Sequence, residues 1–177
     1  MATPEAMAGI IATMPTPPAI RVCPVTPALR EAVLKMHVRP AQDGFVSPPA
    51  RTLPDAEQCP GSEPMAILLG DTPVGYYRIE RSARGITGRD ADADALGLRS
   101  FQLDAAWQGR GLGLPALDAL LADLALRHPQ ARRVVLAVNR DNAAALALYL
   151  RAGFADSGTL YHGGRSGPQH LLWRPLP

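Results

Sequence analysis

Gln108-Gly109-Arg110-Gly111-Leu112-Gly113 is the stretch that decides the fold. Glycines at alternating positions admit main-chain conformations and close approaches that a Cβ would forbid. Leu98 to Asp104, just upstream, is expected to be a strand. Downstream, Leu117, Leu120, Leu121 and Leu124 stand at i, i+3, i+4 and i+7, the stripe of a helix laid on a sheet. Pro115 falls in the first turn of that helix, where a missing N–H costs nothing, and His128-Pro129 ends it. A glycine turn between strand and helix sets a run of N–H groups around a concavity. The partial positive charge of a helix N-terminus lies behind it, an arrangement that suits a diphosphate. A dinucleotide fingerprint starting at Gly109 would need glycine at position 114, where Leu114 stands, and a P-loop would need a Gly-Lys pair, which the chain lacks. The bland alternative is a merely tight turn.

Working outward, Val134 to Val138 is a short continuous apolar run, as in a strand covered on both faces. Asn142 is placed to cap a helix over Ala143 to Ala152, closed by Gly153. Phe154 to Tyr161 and Gln169 to Trp173 form a last strand pair around a Gly163-Gly164-Arg165-Ser166-Gly167 turn. Toward the N-terminus, Met65 to Leu69 and Val74 to Glu80 make a hairpin across Gly70-Asp71-Thr72-Pro73. Ile20 to Val25 is a first strand, followed by a helix capped by Thr26, opened by Pro27 and stopped at Pro40. Ala41 to Pro64 holds five prolines and predicts a long loop or broken helix over a site. Arg84 to Gly97 is expected to be a solvated connection; its Asp90-x-Asp92-x-Asp94 departs from a calcium loop at Ala95 and Phe101. The order is a mixed α/β sheet.

With 177 residues, the chain fits one domain, and 47% apolar with 19% charged residues is a globular balance. Residues 1–19 are expected to be a poorly ordered leader and 20–177 the single domain. The first 20 residues lack Lys and Arg, which argues against a secretory signal, and no stretch approaches the ~20 apolar residues of a membrane span. A net charge of +2 is too weak to point to nucleic acid. Cys23 and Cys59 suit neither a disulfide scaffold nor a metal site, and the four histidines show no ligand spacing. A cytoplasmic protein without a metal is the expectation.

Gln108 to Gly113 resembles the acetyl-CoA pyrophosphate loop (Q/R-x-x-G-x-G/A) of the GNAT family of N-acetyltransferases. Val138-Asn139-Arg140-Asp141-Asn142-x-x-Ala145-x-x-Leu148-Tyr149-x-x-x-Gly153-Phe154 resembles the second motif of that family at the matching distance. The resemblance implies a mixed, mostly antiparallel central sheet of six to seven strands, splayed between strands 4 and 5 and flanked by about four helices. It implies acetyl-CoA as co-substrate, with the peptide groups of Leu103 and Ala105 bonding pantetheine and the N–H of Leu103 polarising the thioester carbonyl. Backbone N–H groups of Gln108, Gly109, Arg110, Gly111, Leu112 and Gly113 would hold the pyrophosphate, with Arg110 adding charge and Arg140 reaching toward the adenosine. Asn139 and Asn142 become cofactor neighbours.

By the same resemblance Tyr149 is the general acid that protonates the leaving thiolate; read alone, it could equally be a core aromatic. Glu80 and Asp104 are candidates for the general base by placement, although Asp104 could cap the turn and Glu80 could pair with an arginine. Direct attack by a neutral amine in a ternary complex follows, since neither cysteine lies in a catalytic context. Phe45-Val46, Leu98 to Gly109 and Tyr161 to His170 are similar to bacterial polyamine (spermine/spermidine-type) acetyltransferases. Asp43, Asp55, Glu57 and Glu63 around the long loop would suit a polycation, while Arg39 and Arg51 oppose it. Two other readings stay open: a non-catalytic acyl-CoA-binding or regulatory module, and a protein N-terminal acetyltransferase. The resemblance also allows a homodimer through the C-terminal strands.

Overall fold

A computed structural model describes residues 18–177. The leader expected over 1–19 thus lies, but for its last two residues, outside the described part. Seven strands form one sheet in the order β1-β2-β3-β4-β5-β7-β6. They are β1 (Ile20–Pro24), β2 (Ser62–Leu69), β3 (Thr72–Glu80), β4 (Leu96–Leu103), β5 (Arg133–Asn139), β6 (Ala155–Tyr161) and β7 (Gln169–Pro175). Every neighbouring pair is antiparallel except β4 and β5. The helices are α1 (Pro27–Leu34), α2 (Pro49–Gln58), the single turn α3 (Arg84–Thr87), α4 (Gly113–Arg127) and α5 (Ala143–Arg151). Among the described residues, no helix is long and apolar enough to cross a membrane.

Apolar burial sandwiches the sheet. On one face, Leu117, Leu120, Leu121 and Leu124 of α4 and Tyr149 of α5 pack on Tyr77, Ile79, Leu98 and Leu136. On the other, Val33 of α1 and Leu53 of α2 cover Ala66, Leu68 and Tyr76. Each fully buried leucine contributes about 1.5–3 kcal/mol, so the α4 stripe alone fixes that helix on the sheet. The α4 helix connects β4 to β5 as the crossover that parallel neighbours need.

The parallel pair is short. Leu96, Gly97 and Leu98 pair with Val134, Val135 and Leu136, and no rung follows. β4 then runs on to Leu103 beside β3, and β5 to Asn139 beside β7. Between Arg78 and Tyr76 the register of β4 on β3 shifts, and Ser100 there has φ +57°. The two strands therefore part, and the sheet is splayed where the resemblance implied.

Three local expectations need correction. The proline-rich segment holds a real helix, α2. Pro48 and Pro49 stand at its start, where their missing N–H groups are harmless, and Leu53 and Ala56 are buried. Pro54 inside it only removes the donor to the Ala50 carbonyl. The connection over 84–97 is not merely solvated: Asp92 is buried and bound to Arg133 at 3.1 Å, and Ile86 and Ala95 are buried as well. Thr26 precedes α1 without a side-chain capping bond; its carbonyl takes the N–H groups of Leu29 and Arg30 instead.

Candidate active site

Where β4 and β5 part, a cleft of about 1140 Å³ opens, floored by Leu98, Phe101, Leu136 and Val138. At one end lies the glycine turn. Gly109 and Gly111 adopt φ of +75° and +73°, left-handed values that side chains resist. The N–H groups of Gly109, Arg110, Gly111 and Leu112 have no acceptor among the described residues. Those of Gly113 and Leu114 open α4, where no preceding turn can take them. Gly113 also lets α4 approach α5, since a Cβ there would sit 3.0 Å from Leu148 Cδ2. The result is a pocket of free donors at a helix N-terminus, fit for a diphosphate.

The edge of β4 supplies the next groups. The N–H of Asp104 donates to Val74 of β3 at 2.9 Å, so ladder alternation turns the peptide groups of Leu103 the other way, into the opening. Its carbonyl accepts from Gln108 Nε2 at 2.9 Å. Ala105 is turned elsewhere: its N–H donates to His37 O at 2.8 Å, and it does not line the cleft.

Across the opening, Tyr149 of α5 lines the cleft with its ring wedged between Phe101 (centroids 6.1 Å apart) and Phe154 (5.7 Å). Burial pushes its phenol up. It therefore stays protonated throughout the neutral range, a donor held beside an apolar floor. Asn142 caps α5, its Oδ1 accepting from Ala145 N–H at 3.2 Å, and borders the cleft as well. Asn139, buried at the end of β5, accepts from Asp141 N–H at 2.8 Å and donates to Ser166 O at 2.7 Å, so it orients the cleft wall.

Other expected residues lie apart. Arg110 stacks on Trp107, 4.7 Å from the ring centre, and does not line the cleft. Arg140 is exposed, 3.9 Å from Asp141. Neither candidate base reaches the cleft. Glu80 is 2.7 Å from Arg78, 3.7 Å from Arg99 and accepts from Ser62 Oγ. Asp104 caps the turn after β4, taking the N–H groups of Ala106 (3.0 Å) and His37 (3.1 Å). Both carboxylates are occupied by the pairings that the sequence left open for them.

Several contacts at and beside the cleft escaped sequence reading, although Arg39 and Arg51 are named there as cations near the long loop. Arg39 crosses 69 positions to place Nη2 3.4 Å from Gln108 O, and a Cβ on Gly109 would lie 3.3 Å from the same nitrogen. The loop before α2 closes the far end: Ser166 Oγ donates to Gly44 O, and Gln102 Nε2 donates to Ser47 O at 3.1 Å. Arg51, Arg78, Arg99 and Arg165 also line the cleft. A hydrogen bond from Arg78 holds the Asp55 carboxyl below the usual range. No local spacing announces contacts between such distant segments.

Comparison with known proteins bears on this arrangement. The model of the acetyltransferase (GNAT) family matches residues 30–154. The chain is 30% identical over 149 residues to the spermine/spermidine N(1)-acetyltransferase of Bacillus subtilis (strain 168), covering 82% of this chain and 93% of that protein. It is 32% identical over 114 residues to the uncharacterized N-acetyltransferase YbbJ of the same organism, covering 64% of this chain and 71% of that one. Among solved structures, aminoglycoside acetyltransferase AAC(6')-Ib in complex with coenzyme A superposes with a TM-score of 0.72 at 18% identity, over 89% of this chain and 95% of the other. Spermidine N-acetyltransferase from Vibrio cholerae, in complex with CoA and spermine, does so at 0.66 and 11%, with the same coverage. A splayed sheet, a glycine turn of free donors and a family match spanning both motifs lead to one conclusion: this chain belongs to the GNAT family of acetyltransferases.

Proposed function

We propose that this protein transfers the acetyl group of acetyl-CoA to the primary amine of a small molecule, by direct attack within a ternary complex. The carrying observation is that Gly109, Gly111 and Leu112, whose N–H groups are free among the described residues, and Tyr149 line one cleft, on opposite sides of the gap between β4 and β5. The turn would take the pyrophosphate of acetyl-CoA, and the Leu103 edge of β4 would meet pantetheine as an added strand. Gln108 Nε2, now on the Leu103 carbonyl, would yield that acceptor to a pantetheine amide. The Leu103 N–H, turned into the opening, would stabilise the oxyanion.

The chemistry balances simply. The amine nitrogen bonds to the thioester carbon, the C–S bond breaks, and the Tyr149 hydroxyl gives its proton to the departing sulfur. A raised phenol pKa keeps that proton available at neutral pH. We assign neither Glu80 nor Asp104 as base, because both are bound elsewhere. The proton released by the amine passes instead to water in the open cleft, and water returns a proton to the Tyr149 phenolate, so the protein ends as it began.

The named activity of the Bacillus subtilis relative supports a polyamine as one acceptor to test. Thiol release from acetyl-CoA with a panel of small amines, polyamines and peptides is the experiment. Turnover of small amines supports this reading. Tight coenzyme binding without any turnover would mark a binding module, and turnover of peptides alone would mark a protein N-terminal acetyltransferase.

A further inference from the structure

We propose that the acceptor amine carries a carboxylate, which arginines at the far end of the cleft hold while its amino group meets the thioester. This rests on the acetyl-transfer reading above and narrows it. Four arginines and two aspartates are the fixed charges that line the cleft: Arg51, Arg78, Arg99, Arg165, Asp43 and Asp55. Of the three carboxylates in and just behind the cleft, two are already engaged. Asp55 lies 2.6 Å from Arg78, and Glu80, just behind, takes Arg78 at 2.7 Å and Arg99 at 3.7 Å.

Two cations remain over. Arg51 and Arg165 are exposed, and neither has a carboxylate within 4.0 Å among the described residues. Arg165 adjoins Ser166, whose hydroxyl bonds to Gly44 in the loop that leads into α2, and Arg51 stands in the first turn of that helix. Asp43 is the single carboxylate of the lining with no basic partner. A polyamine brings several ammonium groups and needs a carboxylate for most of them; here it would meet unpaired guanidinium groups instead. A carboxylate is the ligand that a guanidinium fork fits, by paired charge-assisted hydrogen bonds.

The test compares ω-amino acids of graded length with their carboxamides and with spermidine, in steady-state acetylation assays. The carboxylate member of a matched pair should show kcat/KM about tenfold above its carboxamide. That ratio should fall toward one in Arg51→Gln and Arg165→Gln, fall less in the corresponding Lys variants, which keep the charge without the fork, and shrink at high salt. Unchanged melting temperatures would establish that the variants fold. A wild-type preference for the carboxamide or for spermidine, or a ratio indifferent to both Gln variants, overturns the proposal. Spermidine turned over with every carboxylate refused defeats this proposal alone; acetyl-CoA bound with no amine turned over defeats the acetyl-transfer reading and takes the proposal with it.

Discussion

The two ends of the cleft are built from different materials. At the donor end, the groups offered are main-chain N–H donors of one short turn, Gly109 to Leu112, ahead of α4. At the acceptor end they are side chains drawn from β3, β4, α2 and the loops before α2 and between β6 and β7, joined by single hydrogen bonds such as Ser166 to Gly44 and Gln102 to Ser47. A turn of backbone donors fits one invariant chemical group and is hard to alter by substitution. A wall of side chains from five places can change its charge one residue at a time. On the proposed reading, the donor is therefore set by the architecture, and the acceptor by details laid upon it.

Separate effects on the two ends would sharpen this contrast, and crossed effects would break it. The largest is expected at the point where the ends meet: Tyr149→Phe should lower kcat by about 100-fold or more, with coenzyme A affinity by calorimetry nearly unchanged. Next comes the donor turn. Gly111→Val forces a β-branched residue to φ +73°, and strain of about 1–3 kcal/mol should weaken coenzyme A binding by roughly tenfold or more. Arg39→Ala, which removes a cation from beside Gln108, should weaken it by about threefold at low salt and less at high salt. The smallest effect belongs to the acceptor end. Ser166→Ala cuts the bond to Gly44 and should raise the KM for the amine by about two- to threefold, leaving coenzyme A affinity as it was. A loss of coenzyme affinity in Ser166→Ala would merge the two ends into one site.

The same contrast explains what the sequence disclosed. Element order, the α4 stripe, the Asn142 cap and the glycine turn are all local patterns, where one residue's neighbours in sequence are its neighbours in space. α2 was half hidden, because its prolines read as breakers although Pro48 and Pro49 stand at its harmless start. Asp92 looks solvated among acidic residues and is buried, flanked by Arg89 three positions before it and by Arg133 of β5, 41 positions away, the partner that local spacing does not announce. Arg39 at the glycine turn and Arg165 at the cleft have no local signal at all. Glu80 and Asp104 lie between these cases: at the end of β3 and just after β4, an arginine pair for the one and a turn cap for the other are legible as alternatives, but not that Arg78 and the N–H groups of His37 and Ala106 are the partners that occupy them.

The central claim, that bare main-chain amides of one turn hold the donor's paired phosphates, is tested most directly by amide NMR during titration with coenzyme A. Saturable, large shifts should gather on the N–H signals of Gly109, Arg110, Gly111, Leu112 and Gly113, and pantetheine, which lacks the diphosphate, should leave those signals in place. Coenzyme A that binds without moving them, or pantetheine that moves them equally, would contradict the account.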